Sequence, residues 1–293
     1  MQHDARWGWV GRVASSTDLI GLAALAAERP WAAIAGIPGL AAVSISASKG
    51  DVEALERALA GDASAFIASI PGWLGPRLAA RLGIGMHLPL PVAAACSTGL
   101  YGLLAAADLV EHGTCTHALA GAADRSLTPL LLAGFASLGV LCGDRPPQAF
   151  ATPTGFAPAE GAGMVALGTD GPWRLVAGVR LGDAGHETHF NDPLTLTTAL
   201  AALWAELPEP DLIITHGTGT GTGDAYELQS LDAGPWSTSP RLSCKPVIGH
   251  CLGASGIVEL TLGLEAPAKR LWKISLGFGG HLAAVALERR QER

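Results

Sequence analysis

Residues 88–113, LPLPVAAACSTGLYGLLAAADLVEHG, contain a change of hydrophobic period that decides the fold class. The first part, 88–95, is a short continuous apolar run of the kind a buried strand needs. From Ser97 to His112 the residues Leu100, Leu103, Leu104, Ala107 and Val110 recur at helical spacing. Asp108, Glu111 and His112 fall off that stripe, and Gly113 stops the helix. Cys96 stands at the corner. A buried strand passing directly into a helix is the repeating unit of an α/β fold.

The same alternation continues on both sides. A first strand is expected around residues 9–13, another at Ala41–Ser46 (AAVSIS), and an amphipathic helix over 52–60. Further strands are expected at 118–122, 163–167, 174–180, 212–215 and 281–287, with a helix over 197–206. No low-complexity linker or long charge run divides the chain, and a loose two-half β/α organisation fits the pattern.

With 49% apolar against 15% charged residues and 38 glycines, the 293-residue chain has the makings of a large core with many tight turns. Aromatic residues are 5% of the total, so that core must be aliphatic and alanine-rich, which suits closely packed helices. A formal net charge of -7 disfavours nucleic acid or an anionic membrane as partner, since both reward a basic face. The start MQHDARWGWVGR lacks the apolar run of a signal peptide. The apolar stretch 19–43 is broken by Glu28, Arg29, Pro30 and Pro38, so no membrane span is expected there. A cytoplasmic location follows as the expectation. Five cysteines with no CxxC spacing point to reduced thiols rather than disulfides, and no zinc site is expected.

Two later segments resemble the Cys96 corner in setting. His216 opens a glycine loop after a strand in IITHGTGTGTGD (213–224), and His250 does the same in SCKPVIGHCLGASG (243–256). Alone, Cys96 reads more readily as a small buried hydrophobe, and either histidine as a satisfied structural residue. Together, in this order, they make a nucleophile with two flanking imidazoles. Backbone N–H groups at a helix start would lower the pKa of Cys96 and could bind an oxyanion formed by its attack. The 216–224 loop has neither phosphate-loop spacing, and Asp224 with Glu227 reads as a capping box for the next helix. Lys245, in an apolar neighbourhood, needs an acidic partner if buried, and Glu259 is a candidate.

From about Phe66 onward these motifs resemble the β-ketoacyl synthases of the thiolase-like superfamily. AACSTG resembles their nucleophile motif, and GFAPAEGAGMVAL (155–167) resembles their GF-x-x-x-EGAG segment. HGTGTGTGD, K-x-x-x-GH-x-x-GASG (245–256) and GFGG (277–280) are similar to three more. The resemblance implies a layered α-β-α-β-α fold of two similar halves, 1–165 carrying the cysteine and 166–293 carrying both histidines, within one compact catalytic domain. It implies that Cys96 takes an acyl group from a carrier-protein thioester. His216 and His250 would then hydrogen-bond the carbonyl of a decarboxylating malonyl unit.

Lys245 with Glu259 resembles the family's buried ion pair, and Phe278 its gate and oxyanion donor. Thr218 and Thr220 match positions that hold the phosphopantetheine arm. No cofactor or metal is implied beyond that arm. An acyl carrier protein is the expected partner, with a homodimer or a heterodimer with another ketosynthase-like subunit as the assembly. The chain departs from the family in its short segments after residue 13 and between 264 and 272, and in His281-Leu282 after GFGG. Two other readings share the resemblance: an acyltransferase or hydrolase using the same acyl-cysteine, and a chain-length-factor-like partner subunit.

Overall fold

The computed structural model of the protein describes residues 1–13 and 17–291. Its first strands, β1 (Gln2–Asp4) and β2 (Gly8–Val10), pair with each other in a small antiparallel hairpin. This corrects the strand expected around 9–13, which joins neither main sheet. The Asp4 carboxylate accepts the N–H groups of Arg6 and Trp7, and Gly8 takes a φ of 74°, so the chain folds back on itself.

The first main sheet is built from α1 (Leu19–Ile34), β3 (Ala41–Ser46), α2 (Val52–Leu59), α3 (Leu74–Arg81), β4 (His87–Pro89), α4 (Thr98–Glu111), β5 (His117–Asp124), α5 (Pro129–Ser137) and β6 (Gly161–Leu167). Its strand order is β4-β3-β5-β6, parallel except for β6. Strand alternation splits its residues between two cores. Val43, Ile45, Leu119 and Ala123 meet α1 and α3 on one face; Ala42, Ala118, Ala120 and Ala122 meet α4 on the other. β5 is buried at every position, which is why HALAGAAD shows no polar alternation.

The second sheet comes from β7 (Trp173–Gly182), α6 (Pro193–Glu206), β8 (Leu212–Ile214), α7 (Gly221–Asp232), β9 (Arg241–Leu242), α8 (Lys245–Ile248), α9 (Ser255–Leu264), β10 (Arg270–Gly277) and β11 (His281–Arg289). Its order is β7-β11-β10-β8-β9. Leu196, Leu200 and Leu203 of α6 pack with Trp272, Ile274 and Ala284 on its outer face. Helices α4 and α9 fill the space between the sheets, giving the five layers α-β-α-β-α.

The halves repeat in detail. β3, β4, β5 and β6 correspond to β8, β9, β10 and β11 in order and direction. A residue with left-handed backbone opens a three-residue 3₁₀ turn before each central helix: Ala95 (φ 47°) before α4 and Leu252 (φ 49°) before α9. Gly99 and Gly256 are where those helices meet. A Cβ on Gly99 would stand 2.9 Å from Ile257, and one on Gly256 2.9 Å from Leu100. The division expected between residues 165 and 166 falls inside β6, close to where the chain passes from one sheet to the next.

Candidate active site

Cys96 lies at the end of the first sheet, although not at the end of a strand as the apolar run suggested. β4 stops at Pro89, and residues 90–94 are irregular. Pro89 and Pro91 supply no N–H to a ladder, which cuts the strand short. Leu90 still donates to the Val43 carbonyl and Val92 to Ser46 Oγ, so the segment stays fastened to β3. Thr98 Oγ1 accepts the Ala94 N–H at 2.9 Å and donates to the Ala95 carbonyl at 2.7 Å, closing the corner.

The thiol points into a buried site, with the Phe278 backbone amide beside it. Its pKa moves the opposite way to the sequence expectation. Burial pushes the thiol up, and Lys49, Lys245 and the Phe278 amide oppose that rise without overcoming it. Desolvation outweighs the helix start here. The resting group is a thiol that needs a base.

An imidazole able to act as one is in contact. His250 Nε2 lies 3.2 Å from Cys96 Sγ, and His250 Nδ1 lies 2.7 Å from Ser255 Oγ. The 155–163 motif explains how the ring is held. His250 N–H donates to the Ala157 carbonyl and its carbonyl accepts from Ala159, while Phe156 stands edge-on to the ring at 5.1 Å. His216 comes in from the other side, with ring centroids 5.5 Å apart and planes at 84°. Both imidazoles are depressed well below 6.5, first by burial and then by the nearby lysines. The pair is neutral.

Lys245 finds the partner its burial requires: Nζ is 2.7 Å from Glu259 Oε1, with both side chains fully enclosed. It also donates to the His216 carbonyl at 2.5 Å and stands 3.5 Å from His216 Nδ1. An ammonium facing Nδ1 makes that nitrogen the acceptor and places the ring proton on Nε2.

The capping-box reading of Asp224 and Glu227 is overturned. Both sit within α7, whose N-cap is Thr220. Their carboxylates turn back to the loop before the helix. Glu227 accepts the N–H groups of His216 and Gly217 at 2.5 and 2.7 Å, and Asp224 Oδ1 those of Thr218 and Gly219, each at 3.0 Å. Gly217 (φ 43°) and Gly219 (φ 86°) let the loop curl around the two acids. Two buried carboxylates therefore fix His216, where the sequence showed only a helix start.

Burial raises the Glu227 carboxyl from 4.5 to about 7, against the pull of the two amides. A carboxyl raised in the fold holds its proton after the unfolded chain has lost it, so stability falls as pH climbs through that window. From pH 4.5 to about 7 this group removes roughly 3 kcal/mol of stability, at 1.36 kcal/mol per pKa unit. Urea unfolding of the wild type and Glu227→Gln across that range is expected to show the wild type losing stability relative to the variant as pH rises. Parallel curves would show that Glu227 ionises at its ordinary value.

A pocket of about 460 Å³ collects Cys96, His216, His250, Thr218, Thr220 and Phe278. Phe135, Leu138, Val140 and Phe156 give it an apolar wall. Thr218 and Thr220 share a hydroxyl hydrogen bond at 2.9 Å along the 216–220 loop. All eight side chains singled out in the sequence thus fall on one site or on its support. Among the described residues, no three of His, Cys, Asp and Glu gather as metal ligands, and no helix is long and apolar enough to cross a membrane.

Several supporting residues escaped the sequence reading: Ser255 behind His250, Lys273 on the far side of Glu259, and Asp124, whose Oδ2 accepts the Gly253 N–H at 2.7 Å. Asp124 and Lys273 lie on strands that meet the site only through the fold. Ser255 was inside a recognised motif, five residues from His250, and could have been singled out.

A thiol and two neutral imidazoles at the meeting of two repeated halves, in five α-β-α-β-α layers, define a thiolase-like scaffold. Residues 36–170 match the β-ketoacyl synthase N-terminal domain and 192–276 the β-ketoacyl synthase C-terminal domain, so the chain belongs to the β-ketoacyl synthase family.

It is 28% identical over 217 residues to 3-oxoacyl-[acyl-carrier-protein] synthase 2 of Vibrio cholerae, covering 65% of this chain and 52% of that protein. It is 33% identical over 217 residues to the pikromycin polyketide synthase component PikAIII of Streptomyces venezuelae, covering 67% of this chain and 14% of that one. The chain thus spans about half the length of the Vibrio synthase. In fold it resembles the ketosynthase of the AntDE:AntF acyl-carrier complex, with a TM-score of 0.84 at 20% identity over 98% of this chain and 90% of that one. A β-ketoacyl synthase from Burkholderia phymatum gives 0.80 at 19% identity over 99% and 86%.

Proposed function

We propose that the protein joins an acyl group held on Cys96 to a malonyl unit delivered as a carrier-protein thioester, with loss of carbon dioxide. The observation that carries this reading is the contact of Cys96 Sγ with His250 Nε2 at 3.2 Å, beside a second neutral imidazole. In acyl transfer, His250 Nε2 takes the thiol proton while Nδ1–H donates to Ser255 Oγ. The sulfur bonds to the thioester carbonyl carbon, and the carrier thiolate leaves with the proton from His250. The N–H groups of Cys96 and Phe278 hold the developing oxyanion.

In condensation, Ser255 turns its hydroxyl to donate to Nδ1, so that His250 and His216 both present Nε2–H. Those two donors bind the malonyl thioester carbonyl and stabilise the enolate as carbon dioxide departs. The enolate carbon attacks the acyl-cysteine carbonyl, and the thiolate of Cys96 is released. Thr218 and Thr220 line the approach and would hold the phosphopantetheine arm, with Phe278 gating the thiol.

The partners in this reading are an acyl carrier protein and a second ketosynthase-like chain, identical or not. Support for assembly comes from β4, an edge strand preceded in the chain by exposed apolar residues: Phe66 is 55% and Met86 89% exposed. The test supplies the purified chain with acyl- and malonyl-carrier thioesters and analyses the carrier by mass. A β-ketoacyl carrier supports condensation. An acyl-enzyme that discharges only to water or another acceptor would replace this reading with transfer or hydrolysis, and no acyl-enzyme at all with a non-catalytic partner subunit.

A further inference from the structure

Lys273 is a full lysine in the middle of β10, where its Cα sits opposite Ile214 of β8 and Val285 of β11. Its side chain is wholly buried. Nζ is 2.7 Å from Glu259 Oε2 and donates to the Thr215 carbonyl at 3.0 Å and the Ile274 carbonyl at 2.5 Å. The other oxygen of Glu259 already holds Lys245 at 2.7 Å. One carboxylate therefore faces two ammonium groups.

Charge balance does not explain the second. Glu259 and Lys245 neutralise each other without it, and burying a further ion is costly unless every interaction it makes is used. What Lys273 adds is a grip on the backbone. Lys273 holds the carbonyl of Thr215 and Lys245 that of His216, while Glu227 holds the amides of His216 and Gly217. The peptides on both sides of His216 are thus clamped by cations on their oxygens and by a carboxylate on their nitrogens.

We infer that Lys273 is a positioning residue for decarboxylation: its ammonium fixes the end of β8 and keeps a positive charge beside His216, so that this ring meets the malonyl carbonyl as a neutral donor. The inference rests on the condensation reading above for its substrate, but not for its geometry. Four charged or titratable groups face the His216 ring and its backbone: Lys245 from α8, Lys273 from β10, Glu227 from α7 and His250. The two lysines and His250 all disfavour a proton on the ring, after burial itself. Cys96 is acylated through His250, whose ring is held by Ser255 and the 155–163 motif, and Lys273 touches neither.

The two half-reactions should therefore separate. Lys273→Met leaves the Lys245–Glu259 pair in place, and its circular dichroism is compared with the wild type before rates are read. Its acylation of Cys96, read by intact mass, is expected within about two-fold of the wild type, whereas carbon dioxide release falls roughly ten- to hundred-fold, the usual effect of losing a hydrogen bond from a charged group. The His216 ring titration, followed by NMR, moves upward. Lys273→Gln keeps a donor for Thr215 without the charge; it should shift the titration in the same direction and lose less rate.

An unmoved His216 titration in both variants would overturn the inference, and so would acylation and decarboxylation falling by the same factor. Should the wild type acylate yet release no carbon dioxide, condensation is the reading that fails, and the His216 titration still decides the role of Lys273.

Discussion

Cys96→Ala is expected to carry no acyl group after incubation with any acyl-carrier thioester, and to keep its ability to release carbon dioxide from the malonyl carrier. The first half follows because no other thiol can substitute. Cys115, Cys142, Cys244 and Cys251 are all buried, and burial raises each of their pKa values, that of Cys251 to about 12. None of them lines the pocket.

The second half follows because the carbonyl donors are His216 and His250, and removing the sulfur leaves the supports of both rings in place. Alanine keeps the Cβ and vacates only the space of the sulfur, which faces the pocket, so the packing around it is retained. Intact mass and carbon dioxide release measure the two halves separately. An adduct that survives in the variant would place the nucleophile elsewhere, and decarboxylation lost together with the adduct would tie the thiol to both steps.

What was legible in the sequence was local and periodic. The change of period at Cys96 placed α4 to within a residue of Thr98–Glu111, and AAVSIS matched β3 at both ends, because buried elements advertise themselves by unbroken apolar runs. Lys245 declared its need for an acid, and Glu259 answers it. The errors have physical causes of the same local kind. The apolar run before Cys96 contained two prolines, and hydrophobicity counted more than the missing N–H groups. Asp224 and Glu227 have capping-box spacing, yet a helix that follows a glycine loop can turn its acids backwards onto that loop's amides.

The rise in the Cys96 pKa was missed because a helix start is visible in sequence and the depth of burial is not. Lys273 was invisible for another reason. Nothing within its own strand, RLWKISLG, points to Glu259 or Thr215, which are brought to it by β8 and α9. Roles that pass between elements are written in the topology.

The histidine variants should give the reverse of the Cys96 result. His216→Ala removes one of two donors to the malonyl carbonyl while leaving Cys96, His250 and Ser255 in contact. Acylation should proceed near the wild-type rate, and carbon dioxide release should drop by ~10²–10³, the effect of losing one oxyanion donor in a dry site. His250→Ala is expected to cut decarboxylation as deeply and to slow acylation too, since the buried thiol loses the base at 3.2 Å.

The asymmetry between the two histidines is the informative part. It arises from geometry: His250 Nε2 lies 3.2 Å from the sulfur, whereas His216 makes no hydrogen bond to it and packs edge-on to the His250 ring at 5.5 Å. Single-turnover acylation followed by mass, beside carbon dioxide release from malonyl carrier, separates the variants. If His216→Ala acylated as slowly as His250→Ala, the two rings would share the base role, and the division of labour drawn from their neighbours would be wrong. If His216→Ala condensed normally, Lys245, Glu259 and Glu227 would be holding in place a ring that the reaction does not use.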